Sequence, residues 1–493
     1  MHMSHARMYS RVLAGDSDFD GRFFTGVLTT GIYCLPSCKA RKPKPGNVRF
    51  FPSCEAAREA GLRPCRKCHP DDFARGSDPV LESIEELVAE LRSRPADFPH
   101  VRAVVARSGF GSTRLFELFR RHFHATPADL LMGARLAQVK RGLLAGRAPL
   151  SRLAADAGFE SISVLHEHFR CRNGMTPASY RRLGDSGSFE IALPEDYALA
   201  HFRRSLARDP QSPTERLDGD VYTAVILEAG GPLTIALRLG RRAIGVETAP
   251  GSGPRAHAMV VGMLGLDQDA AGFARLARRL GLGRLVAGRE GLRLGRTPTA
   301  FEGLTWAVIG QQINFSFACV LRRRLVELAG VPVDGGLRAP PSATAVARLE
   351  PRDLLPLQFS RQKADYLIGA ARLVTAGKLD LCALGEGSAT RAERTLLAVR
   401  GLGPWSVNYL MMRSLEFPDC VPLGDTGITS GLQALFSLEE RPDIDATRRL
   451  MAVFSPYRSL ATAHLWQLDR PEPPDKDLHP RPAAKPTGEP PSL

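Results

Sequence analysis

No uninterrupted apolar run in these 493 residues reaches the ~18 that would read as a membrane span, and the opening MHMSHARMYSRVLAGDSD has no apolar core of the secretory kind. A membrane protein and an exported one are both disfavoured, and the expectation is a soluble, cytoplasmic chain. Cysteine is sparse. Of nine, Cys54, Cys171, Cys319, Cys382 and Cys420 stand singly in ordinary segments, the usage of buried reduced thiols rather than of a disulfide framework. An acidic surplus is missing too, for the formal net charge is +14. Residues 1–184 hold 29 Lys and Arg against 18 Asp and Glu, and the remainder 37 against 34, so the basic excess sits in the first third. That is the electrostatic footprint of a phosphate-binding surface, although a merely soluble basic protein has the same balance, and motifs have to decide. The length, at roughly 100 to 200 residues per domain, implies about three domains.

Against that background the first motif stands out. GIYCLPSCKARKPKPGNVRFF (31–51) and LRPCRKCHPD (62–71) place Cys34, Cys38, Cys65 and Cys68 as C-x3-C, a gap of 26 residues, then C-x2-C. Four thiolates at finger-like spacing suit tetrahedral zinc, and the reduced cysteine usage elsewhere argues against the disulfide alternative. Zinc at such a site is either a structural staple or an activator of a thiolate, and the spacing leaves both open. The adjoining Lys39, Arg41, Lys42, Lys44 and Arg49 offer positive charge.

Further along, SDPVLESIEELVAELRSR predicts a helix with Val80, Ile84, Leu87, Val88 and Leu91 on one face. VRAVVARSGFGSTRLFELFRRHF reads as helix, turn and a second helix capped by Ser112 or Thr113, and the pattern recurs in LSRLAADAGFESISVLHEHFRCRNGMTPASYRR. That internal repeat predicts two helix-turn-helix units. Past Gly184 the stretches FEIALP, VYTAVILEA, PLTIALRLG and AIGVETA alternate as antiparallel strands, and helices return from about Thr299. The Pro-rich, charged end is expected to be disordered. The expected class is multidomain α+β: a zinc domain over 1–76, an all-α DNA-binding domain over 77–184, a small antiparallel sheet subdomain over 185–295, an all-α helical domain over 296–467, and a tail over 468–493.

TTGIYCLPSCKAR with FFPSCEAAREAGLRPCRKCHPD resembles the methylphosphotriester-repair domain of Ada-type DNA methyltransferases over roughly residues 7–73. The resemblance implies a Zn(2+) site in which Cys34 accepts the methyl group and Cys38, Cys65 and Cys68 complete the shell, with Thr30 and Arg41 beside the DNA backbone. Zinc with four thiolates carries a formal −2; in-line transfer to Cys34 makes a thioether, leaves −1, and is stoichiometric. Residues 78–183 look like the DNA-binding domain of AraC-type regulators, which implies that the two units sit on a shared helix, here ADLLMGARLAQVKRGLLAG. The second helix of each unit is then the reader, with Thr113, Arg114, Glu117, Arg120 and Arg121 in one and Ser161, Ser163, His166 and Arg170 in the other. Phe116, Phe119 and Phe169 are expected in the core, and His166 and His168, two apart on a helix, do not make a metal pair.

In LLAVRGLGPWSVNYLMMRSLEFPDCVPLGDTGI, Gly401 and Gly403 flank Leu402 in a tight hairpin whose amides can hold a phosphate, and Pro404 suits the first helical position after it. With Asp425 twenty residues beyond Trp405, this resembles the helix-hairpin-helix glycosylases, and more closely the AlkA-type 3-methyladenine DNA glycosylase II, from about Phe189 to Gln467. The resemblance makes Asp425 the catalytic carboxylate, and Trp405, where backbone-cleaving relatives carry lysine, implies a monofunctional glycosylase. Trp405 and Tyr409, one turn apart, either stack on an extruded cationic base or serve the core. Gln311 and Gln312 of IGQQINFSFA match the segment that enters the duplex. A P-C-H-R segment is absent, so reversal of O6-alkylguanine is not expected.

The sequence therefore reads as an alkylation-damage response protein, joining a zinc methyl acceptor, a DNA-binding regulator and a glycosylase for alkylated purines. Its expected partners are double-stranded, alkylated and promoter DNA, with RNA polymerase for the regulator role and no membrane; it would be associated with the nucleoid. The alternative is a regulator whose glycosylase-like part only grips DNA.

Overall fold

The computed structural model describes residues 3–16, 19–74, 78–228 and 230–468, so the expected tail lies, from residue 469 on, outside the described residues. The described residues fall into two compact units, one drawn from Met1–Ser93 and Arg102–Leu115, the other from Arg94–Val101 and Phe116–Leu493.

The first unit is framed by a four-stranded sheet in the order Val48–Phe51, Phe24–Val27, Ile32–Cys34, Arg63–Pro64, antiparallel except for its last pair. The T-T-G of TTGIYC makes the turn between the central strands. Gly31 takes φ +63, where a side chain would be strained, and its N–H bonds Val27 O at 3.0 Å. The next strand then ends at Cys34. A Cβ on Gly26 would stand 2.5 Å from the Phe51 ring, so only glycine lets Phe24, Tyr33, Leu35, Phe51 and Leu62 close into one small core. Asp78 accepts from Leu81 N–H at 3.1 Å to start the helix Pro79–Ser93. That helix buries Leu81, Ile84, Leu87, Val88 and Leu91; Val80, expected on this face, is half exposed and Leu81 takes its place.

The helix Ser112–Phe123 starts at Ser112, so Ser112 and Thr113 lie in its first turn rather than capping it. Phe119 is fully enclosed, whereas Phe116, expected in the core, is 37 % exposed. In the second unit a reciprocal Thr126–Asp129 capping box and Pro127 open the long shared helix Pro127–Ala145. Ser161 and Thr176 cap Ile162–Asn173 and Pro177–Arg181. A five-stranded antiparallel sheet follows in the order Ser188–Ala192, Ala243–Thr248, Gly231–Leu239, Val221–Glu228, Glu215–Asp218. Alternation turns Leu233, Ile235, Leu237 and Leu239 inward; the edge strand ERLD has no apolar alternation and escaped the sequence reading.

One apolar cluster runs across residue 184. It joins Leu136, Val139, Phe169, Tyr180 and Leu183 of the helices to Ile191, Ile235, Leu237, Ile244 and Val260 of the sheet and its covering helix Gly253–Leu264. At roughly 1.5–3 kcal/mol for each large apolar side chain buried, that join is far stronger than a tether. Polar bonds reinforce it: His257 Nε2 donates to Asn173 O at 2.8 Å, and His122 Nδ1 and Thr390 Oγ1 are 2.9 Å apart. The helices Ala300–Ile309, Phe315–Ala329, Arg361–Thr375, Ala389–Leu397 and Pro404–Arg413 share another cluster. Ala270–Arg279 packs instead with Thr426–Phe436 and Arg458–Leu465. Among the described residues no helix is long and apolar enough to cross a membrane.

Candidate functional site

In the first unit, Cys34 ends its strand, Cys38 closes the turn begun at Leu35 (N···O 3.1 Å), and Cys65 is tied to the same strand by its N–H to Tyr33 O at 3.0 Å. Their sulfurs and that of Cys68 lie within 4.8 Å of one another, with Cys38 and Cys65 4.0 Å apart. Zn–S bonds of about 2.3 Å in a tetrahedron put sulfurs about 3.8 Å apart, so the set fits one zinc ion. No other group among the described residues is so placed, His166 and His168 included. The sulfurs differ in what reaches them. Leu35 N–H points at Cys68 Sγ and Lys67 N–H at Cys65 Sγ, each at 3.4 Å. Cys34 is buried and Cys68 half-buried. Thr30, Lys39, Arg41, Lys44 and Arg49 are exposed, whereas Lys42 turns inward and donates to Cys38 O at 2.8 Å.

In the second unit, Asp425 is the N-cap of Thr426–Phe436. Its Oδ1 accepts from Ile428 N–H at 3.1 Å and from the Trp466 indole at 2.9 Å, and its Oδ2 from the Trp405 indole at 3.1 Å. Three donors fix its orientation, and the helix N-terminus favours negative charge there. Trp405 and Tyr409 stack on each other, 5.2 Å between centroids and 16° from parallel. Tyr409 and Trp466 also line a cavity of about 550 Å³, whose wall includes Trp306, Phe315, Tyr222 and Arg322. Arg322 is enclosed, 2.6 Å from Glu302 and stacked over Trp306. Burial pushes the Glu302 carboxyl up against the pull of that guanidinium. Gly401 takes φ +93, and a Cβ there would fall inside the Tyr366 ring, so the hairpin requires glycine at this corner; around Gly403 space is open.

The chain matches three family descriptions: the metal binding domain of Ada over residues 7–71, a helix-turn-helix domain over 104–183, and the HhH-GPD superfamily of base excision DNA repair proteins over 305–456. It is 34% identical over 207 residues to a DNA-3-methyladenine glycosylase of Bacillus subtilis, covering 41% of this chain and 68% of that protein. The chain belongs to the DNA-3-methyladenine glycosylases. A "probable bifunctional transcriptional activator/DNA repair enzyme AlkA" of Mycobacterium tuberculosis is 28% identical to it over 94% of this chain and 97% of that one. The regulatory protein ada of Salmonella typhimurium is 34% identical over 44% of this chain and 60% of its own length. The 3-methyladenine DNA glycosylase from Archaeoglobus fulgidus has the same fold over 57% of this chain and 98% of its own, with a TM-score of 0.52 at 22% identity.

Relative to the sequence reading, this glycosylase departs at particular residues. Gln311 does not face outward: its amide donates to Gly401 O at 2.8 Å and Ser406 Oγ at 2.9 Å. Gln312, beside it, is exposed at φ +56. Ser161 spends its hydroxyl on the cap, while Arg114, Arg120, Ser163 and Arg170 are exposed and His166 is half-buried. The residue missed outright is Trp466, 41 positions from Asp425. A signal existed, because the chain has three tryptophans and all three, Trp306, Trp405 and Trp466, stand at this site.

Proposed function

We propose that this protein is a monofunctional glycosylase for alkylated purines that also removes methyl groups from DNA phosphotriesters and reads DNA sites through its helix-turn-helix region, working in the cytoplasm at the nucleoid. The carrying observation is the Asp425 carboxylate, gripped by the indoles of Trp405 and Trp466, the second of which also lines an aromatic cavity. An N-alkylated purine is already cationic and leaves with the bonding pair as a neutral base, so it needs little acid catalysis. What remains is to stabilise an oxocarbenium-like sugar, and a fixed negative charge does that without reorganisation. The aromatic faces of Tyr409 and Trp466 suit a positively charged base. With Trp405 in place of an amine, no Schiff base forms and the strand stays intact.

In the first unit zinc, when bound, keeps the sulfurs as thiolates at neutral pH. The chain's own contribution is to give Cys65 and Cys68 amide donors, since N–H···S bonds draw charge from a thiolate and make these two the poorer nucleophiles. Cys34, first of the four as in the Ada-type domains this one resembles, is the proposed methyl acceptor, with Thr30, Lys39, Arg41, Lys44 and Arg49 as exposed contacts for the DNA backbone. Arg114, Arg120, His166 and Arg170 are the proposed readers in the helix-turn-helix region, Gln312 and the amides at Gly401 and Gly403 the proposed grip around the lesion, and RNA polymerase the partner of the regulator role.

The test is incubation of the full chain with methylated duplex DNA, scoring free bases and protein-bound methyl together. Released alkylpurines, an unbroken abasic strand and one methyl on Cys34 are expected. Binding without base release would leave only a regulator, and a borohydride-trapped adduct would overturn the monofunctional assignment.

A further inference from the structure

The loop between Ala300–Ile309 and Phe315–Ala329 carries Gln312, and the hairpin at Gly401 precedes Pro404–Arg413; the two are about ninety residues apart in sequence. Both rest on the first turns of a third helix, Arg361–Thr375. Lys363 Nζ donates to Ile309 O at 2.8 Å, to Val308 O at 3.5 Å and, at closer range, to Gln311 O. Val308 and Ile309 close the helix and Gln311 lies just beyond it, and a cation is favoured at that end; Val308 O also accepts from Gln311 N–H at 3.4 Å. Three residues on, Tyr366 lies against Gly401 so closely that glycine is obligatory there. Gln311 then straps loop to hairpin through Gly401 O and Ser406 Oγ. Ser360 caps the supporting helix at Lys363 N–H (3.2 Å), fixing the lysine's own backbone.

We propose that Lys363 is a positioning residue for base extrusion: by holding the end of Ala300–Ile309 it sets where Gln312 stands relative to the phosphate-binding hairpin, so that one segment enters the duplex while the other grips the strand. The inference rests on the glycosylase reading above. Lys363 touches neither Asp425 nor the aromatic cavity, so its contribution falls on holding the nucleotide out of the stack rather than on bond cleavage. The geometry explains the left-handed backbone at Gln312. With the carbonyls of residues 309 and 311 both drawn to one ammonium, the chain turns sharply and the next side chain is left pointing away from the fold.

The experiment compares two duplexes under enzyme excess, one with the alkylated base paired and one with an abasic spacer opposite it, where little pairing has to be broken or replaced. Lys363→Met should lose about tenfold or more in base release on the paired substrate and less than about threefold on the other. A 2-aminopurine next to the lesion should show a matching loss of its extrusion signal. Lys363→Arg, whose guanidinium can also reach carbonyls, should restore most of the paired-substrate rate. Gln311→Leu cuts the strap and carries the same test should Lys363→Met not fold. Equal losses on both duplexes, or none on either, overturn the proposal. Absence of base release by the unaltered protein on both duplexes would refute the glycosylase reading instead.

Discussion

Replacing Asp425 by Asn separates the charge of this residue from its shape. The carboxylate accepts three N–H bonds, from Ile428 and Trp466 on one oxygen and Trp405 on the other. Asn is as good an N-cap as Asp, so the start of Thr426–Phe436 survives. If the amide oxygen keeps Ile428 and Trp466, the new NH2 faces the Trp405 indole at about the observed 3.1 Å, and one bond to a charged group is lost. Such bonds contribute ~1.5–3 kcal/mol, and the half-buried position argues for the lower end, so Tm should fall by only a few degrees. Catalysis should suffer far more. A preorganised group facing developing charge is worth roughly 2.7–4 kcal/mol, which predicts a fall of about 10²- to 10³-fold in single-turnover base release, with binding to an abasic duplex kept. Release within about threefold of the unaltered protein, at unchanged Tm, would show that the Asp425 charge is not what stabilises the sugar.

Trp466→Phe keeps a ring on the cavity wall but removes one donor to Asp425; base release should drop about tenfold or more with little change in Tm. An unchanged rate would make the indole N–H irrelevant. Cys34→Ala should abolish methyl uptake and leave Asp425-dependent excision intact. Methylated protein should bind specific DNA more tightly than unmethylated, by a margin that shrinks with salt, because the site charge goes from −2 to −1; equal affinity across a salt titration would refute this. Acid should destabilise the second unit through His257 and His464, both fully buried. Each bonds a carbonyl through one ring nitrogen and has no partner on the other, and burial pushes them down to about 4 and about 3. From about pH 6.5 down to those values the unfolded chain binds up to two more protons, so stability should fall toward acid by up to ~2.7 kcal/mol per pH unit and hold its full value above pH 6.5. Denaturant midpoints that do not change between pH 7 and 5 would contradict it.

What could be read from sequence was local. The C-x3-C and C-x2-C pairs, the duplicated helix-turn-helix texture, and Gly401 with Gly403 declare themselves by spacing, while Asp425, in the same 33-residue stretch as those glycines, is picked out by the glycosylase resemblance. What could not be read depends on distant segments meeting. Trp466 reaches Asp425 only because Arg458–Leu465 packs beside Thr426–Phe436, Gln311 turns inward only because Gly401 O is there, and Lys363 has carbonyls to cap only in the folded chain. Phe116 shows the converse, since its pattern fits a core position but its environment leaves it open. The buried Arg322–Glu302 pair lies 20 residues apart with no motif to announce it.

The apolar cluster that spans residue 184 changes what it means for one chain to hold two DNA-binding functions. A flexible tether would leave the halves free to orient independently, and once one was bound the other would meet the same duplex at up to millimolar effective concentration. A shared core fixes instead the angle between the helix Ile162–Asn173 and the sheet that follows it in the chain. Whether both halves can touch one duplex is then decided by the path of the DNA. A lesion that bends easily would allow the second contact and a stiff tract would refuse it, so that DNA stiffness acts as an input to which half of the protein is in use.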